Sequence, residues 1–98
     1  MTLHIVNRSP FQHSALRECL EVITEADTLV LIEDGTYAAS KSFSEGRKLE
    51  QVMASGRAYA LREDLRARGI ENQAQAKVID MDEFVALCTQ YNPIQSWF

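Results

Sequence analysis

The sequence predicts a small α/β domain, a three-layer α/β/α arrangement around a mostly parallel sheet of four to five strands. Residues 28–35 contain four consecutive apolar residues followed by two carboxylates and a glycine, as in a strand buried on both faces. An amphipathic segment precedes this strand, and alternating strand and helix patterns follow it. Because ligand chemistry gathers at the carboxyl end of such a sheet, the expected site lies near Glu33, Asp34 and Gly35.

Before the central strand, the sequence predicts a short strand over residues 3–6 and an amphipathic helix. Two helix N-caps are open: Ser9, which is followed by Pro10 and forms a capping-box pattern, and Ser14. Cys19 falls on or beside the apolar face of this helix. That face is defined by residues spaced as i, i+3, i+4 and i+7, namely Leu16, Cys19, Leu20 and Ile23.

After the central strand, helix and strand patterns continue to alternate. The predicted segments are a helical turn at 37–39, a loop at 40–46, a helix at 47–54, a strand near the sheet edge at 57–61, a helix at 63–68 and a strand at 77–81. Either Asp80 or Asp82 caps a last helix. Asn92 and Pro93 end that helix and leave a tail that ends in residues 95–98. No linker divides the chain, so residues 1–98 are expected to form one domain.

Composition excludes several classes of function. The net charge of −4, without a dense Lys/Arg face, argues against electrostatic capture of nucleic acid. The sequence shows neither a signal peptide nor a membrane span, so a cytoplasmic protein is expected. The two cysteines lack the Cys-x-x-Cys spacing and are expected to be thiols in a reducing compartment.

Few residues in the sequence are candidates for catalysis or for binding a cofactor or metal. There is no Gly-rich phosphate loop, no metal-ligand spacing and no nucleophile elbow, so neither a cofactor nor a metal is expected. His4 is predicted to be a strand residue satisfied by hydrogen bonds, and His13 an exposed loop residue. Cys88 is interpreted as a small apolar residue. For Cys19 two interpretations are open: an inert core thiol, or a reactive thiolate near the positive charges of Arg8 and Arg17.

Two further features also leave alternatives. Glu33 and Asp34 are either acid/base groups or carboxylates that solvate a turn. Trp97 and Phe98 either pack back on the sheet or dock into another subunit, since aromatic side chains are favoured interface anchors.

Taken together, these segments resemble the DsrH/TusB family of sulfur-relay subunits over nearly the whole chain. The resemblance is carried by residues 3–11, 33–39 and 61–69 and by the ending from Phe84 and Val85 through residues 96–98. It implies a small α/β fold and a cytoplasmic heterohexamer, with two copies each of three homologous subunits that pass persulfide sulfur between carrier proteins. In one branch the sulfur is destined for 2-thiolation of tRNA wobble uridine, which we prefer; in the other it serves dissimilatory sulfur oxidation.

The resemblance also implies partners and a role for one thiol. The partners are subunits of the TusC/DsrF and TusD/DsrE types and sulfur carriers of the TusA and TusE/DsrC types. The better established sulfur-carrying cysteine belongs to the TusD/DsrE-type subunit. Cys19 resembles the cysteine of DsrH-type members in the context of residues 16–20, which makes it a candidate persulfide acceptor. The alternatives are a purely structural subunit and, by analogy of fold alone, a stand-alone binder of a small ligand at the crevice beside Asp34 and Gly35.

Overall fold

The computed structural model describes residues 1–40, 43, 46–72 and 76–98. The strands are β1 (Leu3–Val6), β2 (Thr28–Leu31), β3 (Ala58–Leu61), β4 (Lys77–Ile79) and β5 (Ile94–Trp97). The α-helices are α1 (Ala15–Val22), α2 (Arg47–Ala54), α3 (Arg62–Ala67) and α4 (Met81–Gln90), and a 3₁₀ helix spans Glu33–Ala39. The predicted α/β class is confirmed.

The sheet is parallel throughout, with strand order β4-β3-β2-β1-β5. The apolar strand from which the fold was predicted, β2, is the middle strand. Strand β1 pairs with β2 on one side and with β5 on the other, so that Leu3 lies opposite Thr28 and Ile94. The pairing of β1 with β5 therefore connects the first and last strands of the described chain directly.

The handedness of the connections between parallel strands explains which helices lie on each face of the sheet. Crossovers between parallel strands are almost always right-handed. Three connections advance in one direction from β1 to β4, which puts α1, α2 and α3 on one face of the sheet. The connection through α4 returns across the sheet to β5 and therefore belongs on the opposite face. The two apolar clusters follow this division, which confirms the three-layer prediction.

Each face of the sheet has its own core. The larger core joins apolar residues of α1, α2 and α3 to one side of the sheet, with Leu29 and Leu31 of β2 among them. The smaller core joins Leu3, Ile5 and Val30 to partly buried side chains of α4. Alternate residues of β2 thus serve opposite cores, as expected of a central parallel strand.

The structure shows which of the alternative N-cap residues begins the first helix and which begins the last. Helix α1 begins after Ser14, whose hydroxyl donates to Glu18 Oε1 at 3.0 Å, whereas the Ser9 carbonyl accepts backbone hydrogen bonds in the preceding turn. Helix α4 begins after Asp80, which forms a complete capping box with Glu83. Because Asp80 is the N-cap of α4, β4 ends at Ile79 and is shorter than the predicted 77–81.

The main correction concerns the last residues of the chain. Residues 95–98 are not a tail, because Ile94–Trp97 pairs with β1 as an edge strand. The predicted strand at 57–61 lies second from the opposite edge. Residues 41, 42, 44 and 45 of the predicted loop, and residues 73–75, lie outside the described residues. No helix in the described part of the chain is long and apolar enough to cross a membrane.

Candidate functional site

A buried polar cluster lies under α1, between β1, β2 and β5. His4 of β1 and Asp27, which immediately precedes β2, are both buried, and their Nε2 and Oδ2 atoms are 3.0 Å apart. Trp97 of β5 donates from its indole Nε1 to His4 Nδ1 at 3.1 Å, and the two rings are stacked with centroids 6.2 Å apart. The cluster thus connects residues 93 positions apart in the sequence.

The indole fixes the tautomer of the histidine. Trp97 Nε1–H can only donate, so His4 Nδ1 must be the acceptor. A neutral imidazole then carries its proton on Nε2, which donates to Asp27. The prediction that His4 is a strand residue satisfied by hydrogen bonds is confirmed, and His13 is exposed as predicted.

Asp27 is the centre of this cluster. Its carboxylate also accepts from the backbone N–H groups of Thr2 at 3.0 Å and Thr24 at 3.1 Å. Burial by itself raises the pKa of Asp27, but the hydrogen bonds from His4, Thr2 and Thr24 outweigh burial and hold the pKa at about 2. Arg57 fixes the same turn by donating from Nη1 to the Asp27 and Thr24 carbonyls.

Cys19 lies in the larger core and has no exposed surface. Burial, together with the nearby Asp27 carboxylate, raises the pKa of its thiol to about 12. The arginines that sequence reasoning placed near this thiol, Arg8 and Arg17, are both exposed at the surface. In this arrangement the neutral thiol is strongly favoured, and a thiolate requires Cys19 to be uncovered first.

The second thiol, Cys88, lies on α4 and is half-buried against the smaller core. Burial raises its pKa as well. Among the described residues, no group of three or more His, Cys, Asp or Glu side chains is placed to hold a metal ion.

The carboxyl end of β2 forms an ion-paired corner. Asp34 Oδ1 accepts from Arg68 Nε at 2.8 Å, and Asp64 accepts from the backbone N–H of Glu33 at 2.7 Å. Gly35 approaches the backbone of β1 so closely that a Cβ there would lie 2.2 Å from the Val6 carbonyl oxygen. These contacts support the interpretation of the acidic pair as structural groups at a turn.

Trp97 and Phe98 differ in their surroundings. The Trp97 side chain is half-buried in the polar cluster, whereas Phe98 is 66% exposed. Three other exposed apolar side chains lie on α4 or at the start of β5. We call this set the α4–β5 surface: Met81, Val85, Ile94 and Phe98.

Sequence reasoning missed Asp27 and the assignment of Trp97 to the cluster. Asp27 was predicted only as a turn residue. A weak signal was available, because a single carboxylate directly before a fully buried strand has little access to water and needs donors from the protein. Nothing in the sequence pairs residue 97 with residue 4.

Asp27→Asn is expected to lower the free energy of unfolding by about 2 kcal/mol at neutral pH, because the carboxylate has a pKa of about 2 instead of 3.8. This contribution is present above about pH 4 and is lost as the pH falls through about 2. Urea unfolding followed by Trp97 fluorescence across this range measures both effects. Glu25→Gln, at an exposed neighbouring position, is the control; equal acid dependence in wild type and Asp27→Asn contradicts the assignment.

Cys88 is expected to react with a thiol reagent in the folded protein well before Cys19. A pKa of about 12 instead of 9.0 lowers the thiolate fraction of Cys19 roughly a thousandfold, and burial also blocks access. Intact mass after timed alkylation at mild alkaline pH measures the rates, with Cys88→Ser and Cys19→Ser as paired variants. Equal alkylation of the two single-cysteine variants would show that α1 opens readily.

Comparison with known proteins agrees with the fold and the resemblance. The family described as DsrH like protein matches residues 8–94. Protein TusB of Pectobacterium parmentieri is 36% identical, and Protein TusB of Escherichia coli O139:H28 is 35% identical, each over 97% of this chain and 99% of the relative. The solution structure of Protein Tm0979 from Thermotoga maritima has the same fold, with a TM-score of 0.65, 21% identity and coverage of 95% of this chain and 97% of that chain. This chain belongs to the DsrH-like protein family.

Proposed function

We propose that this chain is a subunit of a heterohexameric sulfur-relay complex that supplies sulfur for 2-thiolation of tRNA wobble uridine. The observation that carries the proposal is its likeness to TusB proteins over nearly the full length of both chains. Those names also support the tRNA branch of the family over the branch that serves sulfur oxidation. The net charge of −4 supports a role among proteins without direct contact with the tRNA.

The α4–β5 surface supports assembly with other subunits. Helix α4 has ten residues and buries none of them fully, although it packs against the smaller core of the sheet. Four of the eight large apolar side chains exposed in the described residues lie on this surface. Exposed large apolar side chains on a small domain support the presence of a subunit interface.

The proposed occupants are the two homologous small subunits, of the TusC/DsrF and TusD/DsrE types. Ile94 lies opposite Leu3, whose side chain faces the core under α4, so Ile94 projects to the same side of the sheet as that helix. Phe98, the other member of the α4–β5 surface near this edge of the sheet, directly follows β5. Sulfur carriers of the TusA and TusE/DsrC types would then bind the assembled complex.

A second candidate role is persulfide acceptance at Cys19, for which the DsrH-type context of this residue is the support. The Cys19 thiolate would attack the sulfane sulfur of a donor persulfide; the new S–S bond forms Cys19 persulfide, and the donor leaves as its thiolate. Cys19 lies on the buried face of α1, so the helix must first move off the sheet before the thiol can react. The structure therefore favours a subunit that shapes the complex.

Val85→Lys is expected to weaken co-assembly with the two homologous subunits roughly tenfold or more, because it puts a charge into a desolvated interface. Val22→Lys is a matched control, since Val85 and Val22 are 56% and 54% exposed valines on different helices. Co-expression of the three subunits, followed by native mass measurement, gives the stoichiometry and its loss. Recovery of the wild-type chain alone, across protein concentrations, contradicts the subunit proposal.

Loss of this gene in its host is expected to deplete 2-thiouridine in tRNA, and the wild-type chain should restore it. Cys19→Ser should restore the modification equally well, because the structure favours a shaping role for this subunit. Mass spectrometry of digested tRNA measures the modified nucleoside. An unchanged 2-thiouridine level in the deletion strain rejects the tRNA branch, whereas failure of an assembled Cys19→Ser complex establishes the thiol as a sulfur carrier.

A further inference from the structure

Strand β5 depends on one side chain for its attachment to the core. The other three residues of this strand, at positions 94–96, are exposed, and Trp97 alone is half-buried. Besides the backbone ladder to β1, Trp97 packs against the larger core, donates from Nε1 to His4 Nδ1 and stacks on the His4 ring. The orientation of Trp97 is therefore coupled to the state of His4.

Only a neutral imidazole can accept this hydrogen bond. A protonated imidazole carries hydrogen on both nitrogens, so His4 Nδ1 would present a second donor to the indole N–H. Asp27 remains ionised at any pH near neutrality and accepts from Nε2, so it holds the protonated ring in place. The contact that is lost on protonation is the one to Trp97.

The other charged and titratable groups around His4 do not replace that acceptor. From α1 the group next to Asp27 is the Cys19 thiol, which is neutral because its pKa is about 12. Arg57 lies at the turn before β2 and donates to the carbonyls of Thr24 and Asp27. In the part of the chain that the structure describes, Asp27 is thus the carboxylate that faces His4.

We infer that His4 is a proton-sensitive latch: its protonation releases Trp97, loosens β5 and makes the α4–β5 surface dependent on pH. The inference rests on the proposed function only for the meaning of that surface as an interface. Ile94 begins β5 and Phe98 directly follows it, so a loosened β5 presents both side chains in a less defined arrangement. Assembly would then be tighter with a neutral His4 than with a protonated one.

The single tryptophan and the two histidines of the chain allow a direct test with the full chain. The 15N-labelled protein gives one indole cross-peak, which is followed from about pH 8 to about pH 5, where histidine side chains change charge. In the wild type the indole proton should lose its hydrogen-bonded shift on acidification. Exchange of the β5 amides, corrected for the intrinsic effect of pH, should rise about two- to tenfold.

Two variants identify the group responsible. His4→Gln offers an acceptor that does not titrate, so its indole cross-peak should be independent of pH, whereas His13→Gln, at the exposed histidine, should behave as the wild type. If His4→Gln does not fold, Trp97→Phe replaces it: removal of the indole N–H should abolish the pH dependence of β5 amide exchange. A wild-type indole signal that does not respond to pH, or an equal response in His4→Gln, overturns the latch.

Native mass measurement of the co-expressed subunits at about pH 8 and about pH 6 separates the latch from the proposed function. A pH-dependent indole in a chain that assembles with no partner supports the latch and rejects the subunit proposal. Assembly with a pH-independent indole supports the subunit proposal and rejects the latch. Weaker assembly at the lower pH in wild type, but not in His4→Gln, supports both.

Discussion

The buried Asp27 carboxylate is the interaction on which the arrangement of the sheet depends. It receives hydrogen bonds from the backbone before β1, from the turn before β2 and from the His4 ring. These donors belong to segments that are far apart in the sequence. The histidine also links the cluster to β5, because its Nδ1 accepts the hydrogen bond from Trp97. A buried ion is costly unless all its acceptor positions are used, so these segments are constrained together.

The same cluster defines the chemical character of the core under α1. The charge that stabilises the sheet also disfavours ionisation of the thiol beside it, since Asp27 and burial both raise the pKa of Cys19. Structural stability and thiol reactivity thus oppose one another at this position. A family member that used this cysteine for sulfur transfer would need to weaken either the burial or the negative charge.

The sequence was most informative where local patterns determine structure. The uninterrupted apolar run at residues 28–31 predicted a doubly buried strand, and it is the central strand of the sheet. Helix periodicity placed Cys19 in the core, and capping rules selected Asp80 as one of two possible starts of α4. The carboxylates after the central strand were predicted to be near any site, but the structure pairs Asp34 with Arg68.

The parts that could not be predicted depend on distant partners. Residues 94–97 lack the apolar alternation of a core strand, and they form one because β1 has an unpaired edge and α4 returns the chain to it. One consequence concerns synthesis: β1 leaves the ribosome about ninety residues before its second neighbour exists. Until then β1 has one edge open to wrong partners, so a nascent chain is exposed to misassembly while these residues are being translated.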